Sequence, residues 1–144
     1  MIYLDSCALV KLVVAEKEST ALAEVVNVDG VVLASSQLAL TEVIRTVRRS
    51  CFDDHRAPVV DPAVYKERLA KASDLLDRVN LVVLNKNVLL QAAMFENDPH
   101  IGSLDSIHLV SAQCIGPELV AFITYDKQLA HAATAAGLPL RQPS

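Results

Sequence analysis

The chain has little aromatic character: phenylalanine, tyrosine and tryptophan together make up 4% of its 144 residues, and tryptophan is absent. Hydrophobic residues nevertheless account for 52% of the sequence, so disorder is excluded and a well-buried core is expected. That core must consist mainly of valine, leucine, isoleucine and alanine. Such a mixture is typical of a parallel sheet covered by helices, and the length fits one domain spanning residues 1–144.

Cysteines are few, and the chain lacks both an excess of positive charge and a long uncharged apolar segment. The three cysteines show no CxxC spacing, which argues against a disulfide framework or a zinc site and fits a reducing cytosol. A formal net charge of −4 has the wrong sign for binding nucleic acid by bulk charge, so a polyanionic partner would need a local basic patch or bound cations. Neither a signal peptide nor a membrane span is predicted, and we expect a soluble cytoplasmic protein.

Apolar runs alternate with amphipathic segments along the chain. Strands are predicted at 2–4, 31–34, 81–84 and 120–123, with a short last strand at 138–140. Helices are predicted from Ser6 (as the cap) through Val14, at 18–27, from Ser35–Ser36, at 61–79, 86–97 and 103–115, and from Asp126 to about Ala136. We therefore expect a single α/β domain with an open, mainly parallel sheet of four or five strands flanked by helices.

Four acidic residues fall on four separate predicted elements. Asp5 and Asp126 lie at or just beyond the carboxyl ends of predicted strands, the edge at which open α/β sheets bind ligands. Glu42 lies in the helix after the second strand, and Asp105 lies in the first turn of the helix that follows Gly102. We expect the four carboxylates to converge on one cleft.

Carboxylates that lie close together repel each other unless they are protonated or bridged by a cation. Oxygen-only ligands favour hard ions, so Mg²⁺ or Mn²⁺ is expected, and such an ion can activate water for phosphoryl transfer. Ser6 and Thr124, each beside an acid, are candidates for orienting a carboxylate, a metal-bound water or a phosphate. Taken singly, each acid is explained as well by helix capping, the helix dipole or solvent exposure; the joint placement favours the metal site.

One dense cationic cluster lies beside these acids. Glu42, Arg45 and Arg49 are spaced i, i+3 and i+7 and share one helix face. With Arg48, this face could hold a phosphate backbone beside the cleft, although an exposed Glu–Arg pair explains it equally well. Lys11 is a weaker candidate for the same role.

Two further polar residues are expected to be structural. His108 follows Asp105 by one helical turn, but no second histidine stands at ligand spacing, so a packing or hydrogen-bonding role is favoured over metal binding. Cys7 lacks the partners of a catalytic cysteine, and we expect a buried thiol.

At these residues the sequence resembles the PIN-domain ribonucleases, and more narrowly the VapC-like toxins of prokaryotic toxin–antitoxin pairs. Four segments carry the resemblance in family order: 1–12, 35–43, 103–109 and 123–130. They match the acid site of the family to Asp5, Glu42, Asp105 and Asp126, with Thr124 beside the last. Ser106 stands where relatives often have alanine, and no acid is missing.

The resemblance implies an open parallel sheet with the acids at its carboxyl edge and endonucleolytic cleavage of RNA that depends on Mg²⁺ or Mn²⁺. It also implies a homodimer and a cognate antitoxin, which often places a basic side chain in the acidic cleft. Composition and spacing alone stop at a metal-dependent phosphoryl-transfer site.

Two other functions stay open at this point. One is a Mg²⁺-dependent phosphatase or phospho-acceptor domain with Asp5 as covalent nucleophile, although the residue two positions later is Cys7 rather than a second acid. The other is a non-catalytic module that binds RNA or an antitoxin, which the intact set of acids argues against. Residues 61–79 and 9–14 are candidate dimer surfaces, but core packing explains them equally well.

Overall fold

Five short strands form a single sheet in the computed structural model, which describes residues 1–144. The strands are β1 (Ile2–Leu4), β2 (Leu33–Ser36), β3 (Asn80–Val82), β4 (Ala121–Ile123) and β5 (Leu140–Arg141). Their spatial order is β3-β2-β1-β4-β5, and every neighbouring pair is parallel. The predicted α/β architecture with four or five mainly parallel strands is confirmed.

Helices cover both faces of this sheet. They are α1 (Ser6–Lys11), α2 (Ser19–Val26), α3 (Ala39–Arg49), α4 (Pro62–Asp77), α5 (Lys86–Ala93), α6 (Ser103–Gln113) and α7 (Lys127–Ala135). A short 3₁₀ helix, Gly116–Glu118, precedes β4. The first four helices pack on one face, and α5, α6 and α7 pack on the other. No helix is both long enough and apolar enough to span a membrane.

Side-chain alternation along β1 supplies both halves of the core. Ile2 and Leu4 pack with the apolar side chains of α1 to α4, whereas Tyr3 packs with α6 and α7. Tyr3 also stacks on Phe122 of β4, with 5.3 Å between the ring centroids. A strand buried on both faces reads as a continuous apolar run, which is why β1 and β4 are recognisable in the sequence.

The winding of the chain reverses between β1 and β4. From β1 the chain moves outward through β2 to β3, and it then returns to the other side of β1 to form β4 and β5. In open α/β sheets, ligands bind at the carboxyl ends of the strands at this kind of reversal. Asp5 directly follows β1, and Thr124 directly follows β4, so both lie at this position.

The predicted helix start at Ser35–Ser36 is wrong, because both residues end β2 and are buried. The Ser35 hydroxyl donates to the Leu4 carbonyl oxygen at 2.7 Å, and the Ser36 hydroxyl accepts from the Leu38 backbone N–H at 3.2 Å. Small hydroxyl residues serve strand ends and helix caps by the same backbone bonds, so local sequence did not separate the two cases.

The predicted first helix is also too long and has the wrong cap. The structure ends α1 at Lys11 rather than Val14, and Asp5 rather than Ser6 caps it. The Asp5 carboxylate accepts the Ala8 backbone N–H at 2.7 Å, which is the usual bond of an N-cap residue. The side chain of Ser6 is therefore free for another partner.

A substitution at Leu9 of α1 tests the packing of the larger half of the core. Leu9 is fully buried among the side chains of α1 to α4, so Leu9→Ala should lower the free energy of unfolding by about 2–5 kcal/mol through lost contacts and a cavity. Leu40→Ala is the matched control, because Leu40 is 48% exposed and its loss should cost no more than about 0.5 kcal/mol. Urea denaturation measures both, and equal losses would contradict this placement of the core.

Candidate functional site

Asp5 is the most constrained of the four acids, with 3% of its surface exposed. One carboxylate oxygen accepts the Ala8 N–H at 2.7 Å, and the other accepts the Thr124 hydroxyl at 2.5 Å. Burial raises the pKa of Asp5, the two hydrogen bonds oppose that rise, and the nearby charge of Asp126 adds to it. The Thr124 hydroxyl oxygen also accepts the Asp126 backbone N–H at 3.1 Å, so one threonine links both acids.

Glu42 reaches the same edge of the sheet from α3. Its Oε2 atom accepts the Ser6 hydroxyl at 2.5 Å and lies 2.9 Å from His108 Nε2. Burial acts to raise the pKa of Glu42, but the hydrogen bonds from His108 and Ser6 outweigh it and leave the pKa below its ordinary value. An ionised Glu42 requires donors, so His108 Nε2 carries a hydrogen.

The other ring nitrogen of His108, Nδ1, lies 2.7 Å from the Tyr3 hydroxyl. Burial raises the pKa of Tyr3 well above its ordinary value, so the hydroxyl keeps its proton and can donate it to Nδ1. The network thus runs from Tyr3 through His108 to Glu42, and it connects the two helical layers. The predicted hydrogen-bonding role of His108 is confirmed, but its partners are 66 and 105 residues away in sequence and left no local signal.

Asp105 and Asp126 are less constrained. Asp126 is exposed and caps α7, accepting the Leu129 N–H at 2.9 Å. Asp105 is half-buried in the first turn of α6. Burial raises the pKa of Asp105, and the negative charges of Asp126 and Glu42 raise it further. Asp126 therefore lies within electrostatic reach of both Asp5 and Asp105, and Asp105 lies within reach of Glu42.

The donor chemistry of this edge suits a hard divalent cation. Oxygen ligands dominate it, and the pKa values of Asp5 and Asp105 are both raised by a neighbouring carboxylate, a repulsion that a bound cation would offset. After its two hydrogen bonds, the Asp5 carboxylate still has lone pairs for an ion. As placed, however, no three acid, histidine or cysteine side chains are grouped closely enough to hold a metal ion.

The predicted RNA-contacting residues are placed very differently from one another. Arg45 and Arg49 are exposed on α3. Lys11 is buried, and its ammonium group donates to Glu16 at 2.5 Å and to Glu18 at 2.8 Å. Two carboxylates therefore already pair with this ammonium group, which argues against the predicted contact of Lys11 with RNA.

The two glutamates also change the pKa of the Lys11 ammonium group. Desolvation acts to lower the pKa of Lys11, but the hydrogen bonds that its ammonium group donates to Glu16 and Glu18 raise it above its ordinary value. The ammonium group lies 4.9 Å from the centre of the Tyr125 ring, within range of a cation–π contact. Lys11 therefore packs against Tyr125, the residue between Thr124 and Asp126.

The prediction that the Cys7 thiol is buried is wrong: the residue is exposed. Partial desolvation and the charge of Asp5 raise the pKa of the Cys7 thiol to about 11. A thiol that stays protonated at neutral pH is a poor nucleophile, which argues against nucleophilic catalysis by Cys7.

The segment that carries Thr124 is also held from the carboxyl-terminal side. The Gln142 side-chain amide donates to the Thr124 carbonyl oxygen at 2.8 Å, and the Tyr125 hydroxyl donates to the Pro143 carbonyl oxygen at 2.9 Å. Sequence analysis missed these contacts, since a glutamine and a proline near the end of a chain carry no recognisable motif.

The sequence model of the PIN domain family matches residues 2–135. The chain belongs to the PIN-domain family. Among its relatives, Ribonuclease VapC35 of Mycobacterium tuberculosis is 37% identical over 147 aligned residues, which cover 99% of this PIN domain and 97% of the relative. Ribonuclease VapC46 of the same organism is 32% identical over 144 residues, covering 99% and 98% respectively. The predicted resemblance to VapC-like PIN domains is confirmed.

A solved structure shares the fold of this PIN domain. The crystal structure of Mycobacterium tuberculosis VapC20, a sarcin–ricin loop cleaving toxin, superposes with a TM-score of 0.67 at 14% sequence identity and covers 96% of both chains. At that identity the match concerns the arrangement of the backbone. The single domain seen here is thus the fold of a VapC protein over nearly its whole length.

A double-mutant cycle tests the bond between Tyr3 and His108. If the hydroxyl donates to the ring, Tyr3→Phe and His108→Ala should be non-additive, with a coupling of about 1 kcal/mol in the free energy of unfolding. The control pairs Tyr3→Phe with Tyr65→Phe, because Tyr65 packs in another part of the PIN domain, against Phe52, and the two effects should add. Coupling of zero in the first cycle would contradict the assigned network.

Proposed function

We propose that this PIN domain is an endoribonuclease that depends on Mg²⁺ or Mn²⁺ and acts as the toxin of a VapC-like toxin–antitoxin pair. The relatives that match over nearly the whole chain are named ribonucleases. The observation that carries the proposal is the pair of oriented carboxylates at the carboxyl edge of the sheet: Asp5 accepts the Thr124 hydroxyl, and Glu42 accepts the Ser6 hydroxyl.

In this proposal Asp5, Glu42, Asp105 and Asp126 are the metal ligands and the catalytic acids. A bound ion would supply an activated water and neutralise charge on the scissile phosphate. Thr124 and Ser6 restrict the rotamers of Asp5 and Glu42 by donating to them. Preorganisation of this kind matters because reorienting charged groups during reaction is costly.

Arg45 and Arg49 are the proposed RNA contacts. Arg45 follows Glu42 by one turn of α3, and Arg49 follows Arg45 by another, so both extend along the helix away from the acids. Neither forms an ion pair with a carboxylate, which leaves both guanidinium groups free to bind phosphate oxygens.

Covalent catalysis by Asp5 is disfavoured. A phosphatase or phospho-acceptor nucleophile must present a carboxylate oxygen to the phosphorus in line. Asp5 is 3% exposed, and both of its oxygens already accept hydrogen bonds. No contact in the structure favours this alternative over hydrolysis by water.

Asp5→Asn should abolish RNA cleavage in Mn²⁺, with a loss of more than about 100-fold, because removing a metal ligand costs more than removing a residue that supports one. The variant should remain folded by circular dichroism, since asparagine preserves the shape of the side chain. Asp77→Asn, an exposed acid at the end of α4, removes the same charge and should cleave normally.

Calorimetric titration with Mn²⁺ tests whether the protein is a metal-dependent enzyme or a non-catalytic binding module. Wild-type protein and Asp77→Asn should bind the ion, and Asp5→Asn should bind it much more weakly. Cleavage by folded Asp5→Asn at the wild-type rate would refute the role given to Asp5. Metal-independent RNA binding without any cleavage by the wild type would favour the binding module.

The proposed partners are RNA, a cognate antitoxin and a second copy of the chain, in the cytoplasm. Of the two candidate dimer surfaces, residues 9–14 contribute Leu9, Val10 and Val13 to the core, so core packing explains them. Exposed apolar side chains occur instead on and just after α5, where Leu90 is 55% and Met94 is 74% exposed. These two residues lie one helical turn apart and therefore share a face.

Light scattering at micromolar concentration should show a dimer, and Leu90→Glu should shift it toward monomer by placing a charge in an apolar contact. Val28→Glu is the control, because Val28 is similarly exposed, at 57%, on the loop after α2. A wild-type protein that is monomeric throughout would remove the dimer from the proposal, and an unaffected Leu90→Glu dimer would place its interface elsewhere.

A further inference from the structure

Four arginines line a groove of about 550 Å³ beside the C-terminal half of α3. We call this the arginine groove, and it is lined by Arg45, Arg48, Arg49 and Arg56 together with Phe52. These are four of the 13 basic residues of a chain whose net charge is −4. Basic charge is therefore concentrated here against the overall balance, as expected for a local anion-binding surface.

The guanidinium groups of the arginine groove have no carboxylate partners. The three ion pairs of the chain involve Lys11 and His108 instead. Asp53 and Asp54 also line the groove, so the four arginines and two aspartates leave a net charge of +2. One oxygen of the Asp53 carboxylate, Oδ1, accepts the backbone N–H groups of His55 and Ala57 at 2.9 Å and 2.8 Å.

The loop after α3 is shaped so that it completes this groove. Asp53 folds the loop by accepting those two backbone bonds, and Phe52 forms an antiparallel bridge with Pro58 across it. The turn places Arg56 at φ 66°, and it is the one non-glycine residue with positive φ in the chain. Such a conformation is unfavourable for a residue with a side chain, yet here it presents a fourth guanidinium to the groove.

Phe52 adds an aromatic surface to the cluster of charges. Its ring packs edge-on against Tyr65, with 6.0 Å between the centroids, and 38% of the residue stays exposed. Guanidinium groups beside an exposed aromatic ring are the combination with which proteins hold single-stranded nucleic acid, through the phosphates and the face of a base. An acidic peptide would use the charges but would gain little from the ring.

We propose that the arginine groove extends the RNA contacts of Arg45 and Arg49 through Arg48, Arg56 and Phe52, and that it holds a single-stranded segment of the substrate by its phosphates and by one base stacked on Phe52. This inference rests on the proposed ribonuclease function and extends it. Arg48 and Arg49 lie six and seven residues beyond Glu42 on α3, a rise of about 10 Å. The groove thus begins at Arg45, one turn of α3 after Glu42, and extends away from the acidic site, so it binds flanking nucleotides rather than the scissile phosphate.

Equilibrium binding of a labelled single-stranded RNA of randomised sequence and about a dozen nucleotides, in EDTA, tests the proposal. Arg48→Ala/Arg56→Ala should weaken binding about tenfold and reduce the slope of log K against log salt by about 1.4, the loss of two phosphate contacts. Lys71→Ala/Arg78→Ala removes the same charge from a different groove, which is lined by the first residues of β2 and β3, and should bind as the wild type does. With Mn²⁺, the first variant should show a raised KM and an unchanged kcat.

Phe52→Leu tests the aromatic contact separately. It should weaken binding of the same RNA about tenfold but leave the binding of inorganic polyphosphate, which has no bases, unchanged. Equal losses for the two probes would overturn the stacking of a base on Phe52.

The remaining outcomes show whether the RNA-binding role of the groove fails alone or together with the proposed ribonuclease function. Wild-type affinity and salt dependence in Arg48→Ala/Arg56→Ala, with RNA still cleaved, would overturn the groove alone. Loss of poly-glutamate binding with unchanged RNA binding would assign the groove to an acidic protein and also overturn the inference. A wild-type protein that neither binds nor cleaves RNA would overturn the proposed function and the groove with it.

Discussion

The hydrogen bond from the Thr124 hydroxyl to the Asp5 carboxylate joins the carboxyl ends of β1 and β4, two segments that lie 119 residues apart. A buried carboxylate without donors would be driven to protonate or would destabilise the fold by several kcal/mol. Here Thr124 and the first turn of α1 supply those donors. The parallel sheet makes this possible, because it brings every strand end to one edge, and the reversal of winding leaves space there for charged side chains.

The hydrogen bonds among Glu42, His108 and Tyr3 connect both helical layers to that edge of the sheet. Glu42 belongs to α3 on one face of the sheet, and His108 belongs to α6 on the other, yet they meet beyond the end of β1. Tyr3, whose ring lies within the core, fixes the orientation of the imidazole. Glu42 is therefore positioned through side chains of three other elements, Ser6 of α1, His108 of α6 and Tyr3 of β1, so its geometry depends on the packing of both helical layers.

The sequence predicted features that have a local cause and missed those that depend on distant partners. The apolar runs of β1 and β4 end in polar residues, so the positions of Asp5 and Thr124 at strand ends could be inferred from periodicity and topology. The ion pairs of Lys11 could not, because Glu16 and Glu18 lie beyond the end of α1, where helical spacing does not apply. Likewise, Ser35 and Ser36 looked like a helix cap, since their hydroxyls satisfy backbone groups in either setting.

The outer strands of the sheet are very short, with three residues in β3 and two in β5. Unpaired strand edges recruit further strands and lead to aggregation, and short edges limit this. Beyond β5, Pro143 has no backbone N–H to offer to an added strand. Sheet extension from one molecule to the next is thus disfavoured at that edge, where β5 offers only two residues for pairing.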